Sequence, residues 1–265
     1  MDNSGYVLIS NGQLLLSVSL IVITGVISAF LKLGLFKTLI WATIRAFVQL
    51  TLIGYVLTFI FDLNNIFVII ILLLLMCFIA SREASKRVNK APQSTNLMAF
   101  IALTASTFLV VSVVIGLIIT PKPWYSASVV IPIFGMILGN SMSGIALSLD
   151  RMYSEVNSHV EEVEQLLCFG ATPWESVQEH VRDAFKAGMT PIINSLMVVG
   201  LVSLPGMMTG QILAGMEVHT AVRYQFVIMI MIAAAVAIGC LILIGLSYKK
   251  MFTEDMALVQ SMRNN

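Results

Sequence analysis

Apolar runs of the length that crosses a bilayer recur along this chain, each closed off by a short polar break. Seven are read, near 13–34, 38–61, 64–81, 97–119, 126–148, 190–214 and 223–246. A helical span needs roughly 20 apolar residues, and every one of these segments approaches or exceeds that length. The expected fold class is therefore all-α: a polytopic helical membrane protein with about seven transmembrane helices, forming a single domain over 1–265.

One long polar connection interrupts the pattern, at 149–189. Within it Tyr153, Val156, Val160, Val163 and Leu167 recur at helical spacing beside Glu155, Glu161, Glu162 and Glu164, which predicts an amphipathic helix. Gly170 should end that helix. Thr172, Pro173 and Glu175 then supply an N-cap, a proline at the first helical position and a capping-box acid, so a second helix presenting Trp174, Val177, Val181 and Phe185 should begin at once. Two helices joined by so short a turn form a compact knob that a partner can grip and tilt as one body. The same pattern also suits an amphipathic hairpin lying on the bundle floor or in the lipid interface.

Charge sets the orientation. With the N-terminus outside, the cytoplasmic side holds Lys32, Lys37, Arg82, Lys86, Arg87, Lys90, Arg151, Arg182, Lys186, Lys249, Lys250 and Arg263, and the outer side only Lys122 and Arg223. The positive-inside rule fits that arrangement, with the C-terminus in and the 149–189 hairpin in the cytoplasm. Composition agrees: 58% of residues are hydrophobic and 11% charged, against roughly 25% charged in soluble domains. Fifteen basic against fourteen acidic residues, without a dense basic cluster, leave no surface for nucleic acid. The stretch before the first apolar run carries Asp2 and no Lys or Arg, and is not read as a cleaved signal. Cys77, Cys168 and Cys240 are isolated and read as small buried hydrophobes rather than a disulfide framework or zinc site.

Chemistry inside the spans is sparse. Arg45 is the only formal charge away from the ends of a predicted span, Lys32 and Arg223 standing at span ends, and it carries an insertion cost of roughly 2.5–3.5 kcal/mol if centred. Gln49 lies one turn further on the same face, so the two can present a polar stripe to the bundle interior, or Arg45 can snorkel to the nearer headgroups. The segment Pro132–Asn140 is expected to interrupt its span, with Gly135 and Gly139 allowing close helix contact and Asn140 hydrogen bonding across it or freed carbonyls meeting a cation. Pro205-Gly206 should break another span, beside Met207 and Met208. Thioethers are soft ligands, better suited to Cu(I) than to Fe(III) or Al(III), and they also serve as core gap-fillers. His159, with Glu155 and Glu162 on its helical face, and His180 and His219 give only a weak metal signal and fit solvated surfaces. Neither paired intramembrane carboxylates nor an HExxH or Gly-x-Ser-x-Gly motif occurs, so an enzyme is not expected.

Four segments together resemble the FetB-type family of ABC permeases, which includes bacterial iron exporters and plant proteins linked to aluminium tolerance. They are Arg45 to Leu50 with Gly54 to Leu57, Ile131 to Met142, the turn Phe169 to Pro173, and Gly200 to Gly210. The resemblance implies a permease in the plasma membrane, moving a metal ion, iron first, or another small solute, as two copies paired with a separate ABC ATPase. The chain has no Gly-x-x-x-x-Gly-Lys-Ser/Thr loop, so it is expected to hold no cofactor of its own, with ATP and Mg bound by that ATPase. ATPase coupling is expected through Glu164, Gly170, Ala171, Thr172, Pro173 and Trp174, and the span chemistry above gives a polar interior of Arg45, Gln49 and Asn140 and hinges at Pro132, Pro205, Gly206 and Gly210. Gln165 and Leu166 replace the alanines usual in the loop of binding-protein-dependent importers, so an importer fold is not inferred. A secondary transporter or channel without an ATPase, an ABC permease for a nucleotide sugar, and a scaffold for partner helices remain the competing readings.

Overall fold

The computed structural model describes residues 10–88 and 95–259; Asp2, Lys90 and Arg263 lie outside them. The described residues form nine α-helices: α1 (Asn11–Phe30), α2 (Phe36–Leu63), α3 (Ile66–Lys86), α4 (Thr95–Val114), α5 (Ala127–Ser158), α6 (Val160–Cys168), α7 (Pro173–Val198), α8 (Gly206–Leu213) and α9 (Val218–Tyr248). α4 finishes in a π-helical turn, Ile115–Ile119. Six of the described helices, α1 to α5 and α9, are long and apolar enough to cross a membrane by themselves.

Local chemistry places the boundaries. Ser10 and Gln13 cap the start of α1 reciprocally, the Ser10 N–H donating to Gln13 Oε1 at 2.8 Å. Two consecutive asparagines make the tight α2–α3 turn. Asn64 takes the left-handed conformation, φ 38°, that closes α2, and Asn65 Oδ1 accepts from the Phe67 N–H at 2.9 Å to open α3.

The sixth expected span, 190–214, is two helical pieces. α7 enters it from the polar connection without interruption, through Pro191, and stops at Val198. Residues 199–205 are non-helical, closed by a Gly200 N–H bond to the Ser203 carbonyl at 2.9 Å with Gly200 at φ +83°, and α8 resumes behind Pro205. The break at Pro205-Gly206 is thus present and extends back to Val199. The interruption expected at Pro132 is not present: α5 runs unbroken from Ala127 to Ser158, the proline in its second turn removing a backbone donor without ending the helix.

The core lies among α3, α4, α5, α7 and α9, around Leu103, Phe134, Ile137, Ile145, Leu149, Met152, Ile228 and Leu243. Its tightest contact is backbone on backbone. A Cβ at Gly188 would stand 2.8 Å from the Gly144 carbonyl and 2.9 Å from Cys240 Sγ, and one at Gly239 would stand 2.4 Å from Ile145 Cδ1. Gly139, expected to be such a contact, has nothing within 4 Å. Cys77 and Cys240 are buried as expected, whereas Cys168 is exposed at the end of α6.

α1 and α2 stand outside this core. They pack on each other, and α2 meets the rest along a short stretch of α5. Nearly all of its apolar surface is open, from Trp41 through Phe59, the expected condition of a helix solvated by lipid or by another helix.

Candidate functional site

A cavity of about 260 Å³ opens where the broken span meets α5 and α9. Met136 and Asn140 face it from α5, Ser195 and Val199 from the end of α7, Ser203 and Pro205 from the break, Met207 from α8, and Gln225 and Met229 from α9. Gln225 lies about two turns beyond the start of α9 and Asn140 lies deeper within α5, so the cavity is at roughly 10–20 Å from the starts of these helices at 1.5 Å per residue.

Two amides make this cavity chemically distinct. Asn140 spends one of its two Nδ2 donors on the Met136 carbonyl at 2.8 Å, leaving the other N–H and the amide oxygen to offer a ligand. Gln225 is only 6% exposed, and its Oε1 has no hydrogen-bond partner. An orphan buried acceptor costs about 1–3 kcal/mol, and of the buried side-chain acceptors without a partner among the described residues Gln225 is the one that lines this cavity. Three thioethers, Met136, Met207 and Met229, share the wall. The Met207–Met208 pair is therefore split: Met207 reaches the cavity and Met208 does not line it. Gln225 was missed from sequence, since one amide in a long apolar run carries no local signature.

Arg45 and Gln49 do not join Asn140. Both are on α2, which has almost no interior of this chain to face; Arg45 instead approaches Glu83 of α3, NH2 to Oε1 at 3.8 Å, and Gln49 is exposed. The Arg45–Glu83 pair is long and half exposed, a weak tie between α2 and α3, and Glu83 is held more closely by Lys86 at 3.0 Å. Pro205 and Gly206 sit at the cavity edge, and Gly210 is an ordinary position within α8.

The polar connection builds the knob, with one departure. The first helix is divided: α5 continues to Ser158, the chain turns at His159, and α6 follows. α6 closes in a Schellman turn, the Gly170 N–H donating to the Leu167 carbonyl and the Ala171 N–H to that of Leu166, both at 3.0 Å, with Gly170 at φ +92°. Thr172 then caps α7, its N–H donating to Glu175 Oε2 at 2.8 Å and its Oγ1 accepting from the Glu175 N–H at 3.3 Å. Phe169 projects at the tip, 88% exposed. Trp174 is only partly available to a partner, because its ring meets Tyr248 edge-on at 5.2 Å. Glu164, Gly170 and Ala171 line a groove of about 450 Å³ whose other wall is Asp255 to Leu258, so the C-terminal segment belongs to this surface, which sequence reading missed.

The Thr172 N–H and hydroxyl hold the Glu175 carboxyl below the usual carboxylate range. A depressed pKa means the cap is complete above the ordinary glutamate value of about 4.3 and is lost as pH falls through the folded value. Hydrogen exchange of the amides of Trp174 to Val177 should therefore be unchanged between pH 7 and 5 and lose protection in more acid solution. Thr172→Ala should show that loss already at neutral pH.

These features define a multi-pass helical membrane protein with a cavity between α5, α9 and the break that separates α7 from α8. The chain matches the profile of the family described as Uncharacterised protein family (UPF0014) over residues 11–252, and it belongs to that family. It is 41% identical to UPF0014 membrane protein YjkA of Bacillus subtilis over 93% of this chain and 98% of that one. It is 34% identical to the Probable iron export permease protein FetB of Escherichia coli over 95% of both chains. It is 30% identical to UPF0014 membrane protein STAR2 of rice over 84% of this chain and 76% of that one. No solved structure matches.

Proposed function

We propose that this chain is the permease subunit of an ABC transporter, exporting a metal ion, iron in the first instance, across the plasma membrane. Two copies pair with two ATPase subunits, which bind ATP and Mg and grip the knob from the cytoplasm. The observation that carries the reading is the continuity of α7: a single helix begins at the knob, at Pro173, and ends in the cavity wall, at Ser195 and Val199. Displacement of the knob therefore reaches the cavity without an intervening joint.

Other features support it. Described basic residues concentrate at the knob end of the bundle, where α1, α3, α5 and α9 end and α2 and α7 begin, with Lys122 and Arg223 at the other end, the distribution of a cytoplasmic face. The cavity offers neutral amide and thioether donors, which suit Fe(II) or Cu(I) better than hard Fe(III). A relative that shares 95% of its length carries the name of an iron export permease.

The test is reconstitution with the ATPase in liposomes, measuring ATP hydrolysis with and without Fe(II), Cu(I) or a nucleotide sugar. Ion-stimulated hydrolysis is expected; flux from the isolated chain with no ATPase association would favour a secondary transporter. Phe169→Ala should weaken ATPase association by about tenfold or more, the scale of an interface anchor, with membrane insertion unchanged because Phe169 is almost fully exposed. Unaltered association would count against docking at this tip.

A further inference from the structure

We propose that Glu155, His159 and His180 form a three-ligand site for a borderline divalent transition-metal ion, of the Zn2+, Co2+, Ni2+ or Fe2+ class, which pins the root of α6 to α7. Each residue offers a donor atom, and the three atoms lie within 4.8 Å of one another. The site is separate from the cavity: Glu155 is on the last turn of α5, His159 is the residue at which the chain passes from α5 to α6, and His180 is on α7.

The arrangement prepares each ligand. His159 Nδ1 lies 2.9 Å from the Glu155 carbonyl of its own helix. Donation of Nδ1–H there puts the lone pair on Nε2, and a ring N–H held by a backbone carbonyl is the usual support of a metal-ligating histidine. Glu155 divides its oxygens, Oε1 pairing with Arg151 and Oε2 standing 3.5 Å from His159 Nδ1. The His180 ring stacks on that of His159, centroids 5.0 Å apart and planes at 25°. Tetrahedral ligation at ~2.0–2.2 Å brings donor atoms to roughly 3.3 Å. Rotation of the His180 imidazole and the Glu155 carboxylate closes the difference while the His159 Nδ1 bond stays in place.

Two imidazoles and one carboxylate select borderline ions over Mg2+ or Ca2+, which take oxygen ligands. With three protein ligands, water would complete the shell. An ion there would bridge the junction at which α6 leaves α5 to the first turns of α7, fixing the set of the knob.

The experiment is Co2+ titration of the purified full chain in detergent, followed by visible absorption, with Zn2+ displacement. One Co2+ per chain is expected, and His159→Asn and His180→Asn should each weaken binding by about tenfold or more. His219→Asn, at the other end of the bundle, and Glu162→Gln should bind as the unaltered chain does. Hydrogen exchange supplies the second readout: Zn2+ should slow the amides of 156–168 in the unaltered chain and leave them unchanged in His180→Asn. Absence of Co2+ uptake at millimolar concentration, the same number of Co2+ ions bound with the same affinity after either histidine substitution, or Zn2+-induced slowing that persists in His180→Asn would each overturn the proposal, whatever the cavity itself binds. Neither measurement depends on transport, so the result is independent of the permease reading.

Discussion

Gly188→Leu should prevent this protein from accumulating as a folded bundle. Gly188 lies where α7 crosses α5, and a Cβ there would meet the Gly144 carbonyl, Ser148 Cβ and Cys240 Sγ, all within 2.9 Å. Two of those three neighbours cannot swing away: one is backbone and one is the Cβ of a packed helix. Overpacking a rigid core costs about 1–3 kcal/mol and more when backbone must move. Here relief requires separating α5 from both α7 and α9, since Gly144 is also pressed by Val236. The measurement is yield and thermal unfolding in detergent. Gly139→Leu is the control, because that position is open, and should leave both near their unaltered values.

Gln225→Leu should separate transport from stability. The Gln225 acceptor is buried and unpartnered, so replacing the amide with a hydrocarbon of similar length removes an unfavourable group from the fold. Thermal stability in detergent should hold or rise. Ion-stimulated hydrolysis by the reconstituted complex should fall by about tenfold or more, the equivalent of losing a ligand contact of about 1–3 kcal/mol. Lowered stability with normal stimulation would show instead that Gln225 is a packing residue. Met229→Leu keeps volume and tests whether a thioether is required beside it.

What could be read from the sequence was local or strongly periodic. The cap at Thr172, the proline after it and the glycine turn at Gly170 were legible because their chemistry is completed within a few residues. The spans were legible because hydropathy integrates over twenty. The continuity of α7 was not, since Arg182, Asp183 and Lys186 depress its hydropathy ahead of the expected span and hide that one helix runs from the knob to the broken segment. Of the expected glycine contact, Gly135 does stand close to α3, a Cβ there meeting Met76 Cε at 3.3 Å, whereas Gly139 is open and the tighter crossing at Gly144 and Gly188 was not read, because a small-residue motif does not reveal which partner helix comes near. Arg45 was recognised as needing a partner, but Glu83 lay just past the expected end of its span. Gln225 and the meeting of His159 with His180 depend on packing between helices that no local pattern specifies.

The unbroken rod of α7 has a mechanical implication. From Pro173 to Ser195 it measures about 33 Å at 1.5 Å per residue, and its glycine crossing with α5 falls well beyond the midpoint. A helix held at Gly188 and pushed at Pro173 behaves as an unequal lever: the long arm lies on the knob side, roughly 22 Å, and the short arm toward the cavity, roughly 10 Å. A 10° tilt then moves the gripped end by about 4 Å and the cavity wall by less than about 2 Å. Force is gained where travel is lost, which suits a device that must loosen its hold on a tightly coordinated ion more than it must open a wide gate.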